Sequence, residues 1–174
     1  MSYGGGHVRP VWVGVFEGKV SREDTRSTLK AMDCEIELHE GAWMYLSLSN
    51  DDEFLAGVRE ACRRHGWPVL AASEEPPGRR LQALRLADAC ILDISVDGLD
   101  AGVELGLALC EGRPVIALRS HSADSTPFLD ELTREHSAVR QVSYRGLDDC
   151  LAVLEGVLSE GRWQEQVAQA APSG

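Results

Sequence analysis

The sequence predicts a small α/β domain, a doubly wound five-stranded parallel sheet of flavodoxin or Rossmann type with helices on both faces. Three observations lead there. Apolar runs of strand length alternate with stretches of helical periodicity along the chain, which is the spacing of βαβ units. The central runs, 89–94 (ACILDI) and 114–118 (PVIAL), are continuous rather than alternating, as in strands covered on both faces. The 174 residues are 44% hydrophobic and 26% charged, enough apolar material for one core in a single domain spanning 1–174.

Each element has a local reason. Residues 1–9 read as a loose Gly-rich arm. Residues 11–16 (VWVGVF) form a β-branched and aromatic strand closed by Glu17-Gly18. A helix over 19–32 follows from Ser21 ahead of Glu23 and Asp24, with Leu29 and Met32 as its apolar positions. Within 33–48, Ile36 and Leu38, then Trp43 and Tyr45, alternate around His39–Ala42. That pattern predicts a hairpin-like insertion or lid. Trp43 and Tyr45 would then cap a base, make a dimer contact or serve as core. Asn50, Asp51 and Asp52 cap a helix carrying Phe54, Leu55, Val58, Ala61 and Cys62 at helical spacing. Arg63, Arg64, His65 and Gly66 end it.

Residues 68–72 (PVLAA) form the second strand, and 73–78 a polar loop with two prolines. A helix follows over 79–87, the third strand over 89–94, a loop over 95–100 and a helix over 101–110 ended by Glu111-Gly112. The fourth strand is 114–118, and a short helix lies near 128–132. An edge strand is 139–144, and a last helix, 147–158, sets Leu151, Leu154 and Val157 on its core face. Residues 164–174 read as frayed. Ligands of such sheets sit over the carboxyl ends of the strands, near the topological switch point. That places loops 14–18, 73–78 and 93–104 at the candidate site.

The formal net charge of −11 and a sequence pI of about 4.8 disfavour a nucleic-acid backbone or an anionic membrane as main partner. A small anionic ligand remains compatible, since backbone amides and one Arg can bind it locally. No apolar run approaches a membrane span, and the N-terminus lacks a signal-peptide core. A cytoplasmic protein is expected. The five cysteines, Cys34, Cys62, Cys90, Cys110 and Cys150, include no CxxC pair. They read as free thiols, mostly buried, in a reducing compartment.

No dinucleotide-binding GxGxxG, phosphate-loop, HExxH or GxSxG motif is present. The five histidines are scattered. Even His121 and His136 lack supporting ligand spacing, so no metal and no cofactor are expected. Glu104 is the residue that invites chemistry. It lies near the start of a helix that follows a strand and its loop, among Val103, Leu105, Leu107 and Ala108. The positive helix end stabilises its charge, and a sheet-edge pocket would desolvate it. It is either a reactive carboxylate or a first-turn Glu that only complements the dipole.

The block from Ala87 to Leu118 resembles the nucleoside 2-deoxyribosyltransferase-like superfamily, whose members carry "ADAV…D…G…ELGYALxxGKPVI". The matching residues are Asp88, Asp93, Gly102, Glu104, Leu105, Gly106, Ala108, Leu109, Gly112, Pro114, Val115 and Ile116. Val13–Phe16 is similar to the family's first-strand signature. The superfamily includes hydrolases that release a base from nucleoside monophosphates. More distant Toll/interleukin-receptor-like relatives cleave NAD.

The resemblance implies that Glu104 attacks the anomeric carbon of a (deoxy)ribosyl group, giving a glycosyl-enzyme ester resolved by water or a second base. A second acid must protonate the departing base. Asp93, Asp97 and Asp100 are the candidates, although Asp97 and Asp100 also suit a loop or a helix N-cap. Gly14, Val15 and Phe16 would floor the pocket, unless Phe16 is a core aromatic. Ser73 and Glu74, with Glu75, stand where relatives hold sugar hydroxyls or phosphate. Asp100 and Gly102 complete the binding set.

The chain departs from the pattern in places. The family's "GT" ahead of the Glu is replaced by Asp100-Ala101, and the position six before the Glu is Gly98. No Arg follows Phe16 closely, so Arg79, Arg80 or Arg119 would have to clamp a phosphate. The partner expected is a small nucleoside or nucleotide, and relatives suggest a homo-oligomer with Trp43, Met44, Trp163 and the last helix as candidate contacts. Two other readings stand beside the glycosidase: a nucleotide-binding sensor without turnover, and a Toll/interleukin-receptor-like NAD glycohydrolase.

Overall fold

The computed structural model describes residues 42–48, 52–95, 99–124 and 127–170. The strand expected at 11–16, the helix at 19–32 and the first half of the expected hairpin lie outside the described residues. Five strands form one parallel sheet: β1 (Met44–Ser47), β2 (Val69–Ala71), β3 (Ala89–Asp93), β4 (Val115–Ser120) and β5 (Val139–Tyr144). Their order is β2-β1-β3-β4-β5, and every pairing is parallel. The described helices are α1 (Asp52–Arg64), α2 (Pro77–Leu86), α3 (Leu99–Cys110), α4 (Pro127–Glu135), α5 (Leu147–Ser159) and α6 (Gly161–Ala170). A 3-10 turn (Ala72–Glu74) precedes α2. This is the doubly wound α/β fold.

The period of two along each strand sorts side chains to opposite faces. Met44 and Leu46 of β1, Ala89 and Ile91 of β3, and Ile116 and Leu118 of β4 share a cluster with Phe54 and Val58 of α1, Leu154 and Leu158 of α5, and Trp163 and Val167 of α6. Tyr45, Cys90, Leu92 and Val115 face the other way, against Ala83 and Leu84 of α2 and Leu105 and Ala108 of α3. Leu132 of α4 packs on the same side. Crossovers on both faces therefore cover the sheet.

The segment expected as a hairpin or lid over 33–48 is different where the structure describes it. Residues 44–47 are a central strand, paired with β2 on one side and β3 on the other. Trp43, Met44, Tyr45 and Leu46 are all buried, so the alternation belonged to a strand covered on both faces. Asp88 ties this strand down: its Oδ2 accepts the Trp43 N–H at 2.7 Å, and its own N–H donates to the Trp43 carbonyl at 2.8 Å. The frayed tail expected over 164–174 is also corrected for 164–170. Those residues continue α6, whose Trp163 and Val167 enter the core.

Helix ends follow the sequence signals. Gly66 and Gly112 take φ of 78° and 67°, the left-handed conformation that glycine adopts without a Cβ penalty. The Trp67 N–H reaches back to the Cys62 carbonyl at 3.0 Å and the Arg113 N–H to that of Ala108 at 2.8 Å. Each bond closes a helix just ahead of β2 or β4.

Candidate active site

The strand order makes β1 and β3 neighbours at the switch point. From β1 the chain crosses through α1 to β2 on one side, and from β3 through α3 to β4 on the other. In sheets of this kind ligands bind outside the carboxyl ends of the strands at such a point. Tyr45 projects from β1 onto the face of α2 and α3. Glu104 reaches the same place from the second turn of α3. The Tyr45 hydroxyl donates to Glu104 Oε1 at 2.8 Å.

Both residues are buried, Glu104 with 4% of its surface exposed. Glu104 Oε2 is buried too and has no hydrogen-bond partner among the described residues. A buried carboxylate oxygen left unbonded is costly in a folded protein. Here one oxygen is fixed by a phenol and the other is buried without a hydrogen-bond partner among the described residues. Burial, first, and then the bond to Glu104 raise the Tyr45 pKa above the usual tyrosine range, against the opposing positive charge of Arg80. The hydroxyl therefore stays protonated and remains a donor near neutrality.

Arg80 lies in the first turn of α2 and is half-buried. It stands on the inward stripe that continues through Ala83, Leu84 and Ala87, because residues three and four apart share a helix face. Its Nε is buried without a hydrogen-bond partner.

The other expected site residues are dispersed. Asp93, 4% exposed, follows Ala89 and Ile91 in strand register toward α1 and α5. Its negative charge helps raise the Cys150 thiol of α5. Its Oδ1 accepts the Ser95 N–H at 2.8 Å. Asp93 and Glu104 thus belong to opposite faces of the sheet. Asp100 is exposed in the first turn of α3, one turn before Glu104 and on the same side of the helix. Gly102 is exposed and open, since an added Cβ would meet nothing within 4 Å. Ser73 is exposed, and Glu74 pairs with Arg59 of α1 at 2.6 Å. Arg119 pairs with Asp130 at 2.6 Å. Gly14, Val15, Phe16 and Asp97 lie outside the described residues.

Sequence reasoning missed the partnership of Tyr45 with Glu104. The signal was present: a short apolar run, 43–46, stands just ahead of a capped helix, as 89–94 stands ahead of α3. Among the described residues, no group of three or more His, Cys, Asp or Glu side chains is placed to hold a metal ion. No described helix is long and apolar enough to cross a membrane.

Among solved structures, the Clostridium botulinum CMP N-glycosidase BcmB aligns with a TM-score of 0.55 over 64% of this chain and 98% of its own, at 17% identity. The two chains share a fold. A de novo designed Rossmann 2x3 fold protein, solved by solution NMR, aligns with a TM-score of 0.49 over 70% of this chain and 91% of its own, at 19% identity. No protein-family model matches the sequence. No curated protein matches it.

Proposed function

We propose that this chain cleaves the N-glycosidic bond of a nucleoside or nucleotide, with Glu104 as nucleophile. The observation that carries the reading is the buried Glu104 carboxylate at the switch point, with Oε1 held by Tyr45 at 2.8 Å and Oε2 unpartnered. The fold shared with a CMP N-glycosidase and the "ELG" resemblance of 104–106 support it.

In this mechanism Oε2 attacks the anomeric carbon as the bond to the base nitrogen breaks, and the bonding pair leaves with the base. An acid protonates that base. Water then cleaves the glycosyl ester, returning the carboxylate and releasing the sugar with net retention; in the transferase variant a second base takes the place of water. Tyr45 keeps one oxygen occupied, so the other is the attacking atom. Of the three candidate acids, Asp100 is the described carboxylate on the Glu104 side of α3, so it is assigned the proton transfer. The placement of Asp93 on the opposite face favours a second reading, a nucleotide-binding protein without turnover.

Chromatography of reaction mixtures separates these readings. Wild type and Glu104→Gln would be incubated with nucleosides, 2′-deoxynucleosides, their 5′-monophosphates and NAD, with and without an acceptor base. Wild type should release free base, and Glu104→Gln should lose about a thousandfold or more of that rate while melting normally. Equal rates in both proteins would remove Glu104 from the mechanism. No release with any substrate, but a thermal shift with one, would leave the binding protein. Release from NAD alone would favour the glycohydrolase.

A further inference from the structure

At the carboxyl end of the sheet the β3–β4 ladder is finished by a side chain. The Ile94 N–H donates to the Leu118 carbonyl at 2.8 Å, in the register that pairs Asp93 with Leu118. The next bond of a parallel ladder would run from the Ser120 N–H to the Ile94 carbonyl. Instead the Ser120 N–H donates to Ser95 Oγ at 2.7 Å. A hydroxyl takes the place of a backbone carbonyl, so the chain leaves β3 here while still fastened to β4.

The same serine is held on two other sides. Its N–H donates to Asp93 Oδ1 at 2.8 Å, and its hydroxyl lies 3.4 Å from that of Tyr144 at the end of β5. Tyr144 is buried, and its ring is tilted against Phe54 of α1 with the centroids 5.3 Å apart. Three strand ends therefore meet at Ser95. Residues 96–98 separate it from the start of α3. Four residue steps span about 14 Å at most, so Ser95 limits where α3 can begin. Further along, Leu105 and Ala108 are buried and hold α3 by packing. Its first turn lacks that hold, because Asp100, Gly102 and Val103 are exposed, and an exposed helix end opens readily.

Building on the glycosidase reading, we propose that Ser95 is a positioning residue, whose hydroxyl joint to β4 and β5 fixes the first turn of α3 and, through it, Asp100 and Glu104. It acts on the helix rather than on the substrate. Asp93 then serves the site by orienting Ser95, from the opposite face of the sheet to Glu104.

Amide hydrogen exchange and base release test the joint, on the full chain as wild type, Ser95→Ala and Ser95→Thr, with melting curves for all three. The amides of Val103 and Glu104 bond four residues back, onto the first turn of α3, so their exchange reports its opening. Ser95→Ala should speed exchange at Ser120, Val103 and Glu104 about tenfold and leave the amides of β1 within about twofold. Its kcat for base release should fall about tenfold with KM within about twofold. Ser95→Thr keeps the hydroxyl and should restore both. Faster exchange at Ser120 with Val103 and Glu104 unchanged overturns the proposal. So does a uniform acceleration that includes β1, which is a plain loss of stability, and so does an unchanged kcat in Ser95→Ala. These three results leave the glycosidase reading standing, because wild type still turns over. If wild type releases no base from any substrate, the glycosidase reading falls, and the exchange pattern alone upholds or overturns the joint.

Discussion

The Tyr45 hydroxyl decides which oxygen of Glu104 is free to react. Tyr45→Phe removes that donor and little else, since the ring and its packing against Leu84, Leu92 and Leu105 remain. A hydrogen bond to a charged group contributes roughly 1.5–3 kcal/mol, so kcat should fall about ten- to a hundredfold. KM should hardly move, because the phenol touches the nucleophile rather than the ligand. A fall in melting temperature with kcat unchanged would show Tyr45 to be structural only. At this scale the sequence was partly legible. Glu104 could be found from its place at the start of a helix after a buried strand. Arg80 was one of three cations, and only the inward stripe through Ala83 and Leu84 singles it out. Asp93 was misleading for a physical reason. Strand period two sends it to the α5 face, and no residue pattern in the sequence says on which face α3 will set Glu104.

At the scale of elements, the strands that were read correctly are those with an unambiguous stop on each side, such as β4 between Gly112 and its loop. β1 was misread because 33–48 carries apolar residues at alternating positions on either side of His39–Ala42, which imitates a hairpin. Its pairing with both β2 and β3 depends on partners far along the chain, which local pattern does not reveal. The tail was misread for a similar reason. Half of residues 161–170 are polar, and their apolar stripe is short, but Trp163 is 2% exposed and Val167 1%. Burial against α5, rather than helix propensity, holds α6 in place. Trp163→Ala should therefore destabilise the protein by about 3 kcal/mol or more, read as a shifted denaturant midpoint. An unchanged midpoint would mean that α6 is peripheral to the core.

For the whole molecule, the doubly wound sheet places three thiols, Cys62, Cys90 and Cys150, inside its two helical layers. Burial is the main reason each is pushed up from 9.0 to about 12; Asp93 and Asp149 add to it at Cys150. Their folded-state values lie above the unfolded ones, so the neutral thiols favour folding fully below about pH 9, and that contribution drains away as the pH climbs toward 12. Tyr45, raised in the same direction, adds to the loss. Melting temperature should thus fall steeply in this alkaline window. The acidic surface offers a competing cause, since a net charge of −11 grows more negative as bases lose protons, and self-repulsion also destabilises. Salt distinguishes the two. Near 1 M the screening length is about 3 Å, so surface repulsion is suppressed, whereas the cost of ionising a buried thiol is untouched. An alkaline fall that persists in high salt, and is reduced in a variant with all three cysteines changed to alanine, assigns the loss to the core. A fall abolished by salt would assign it to the surface.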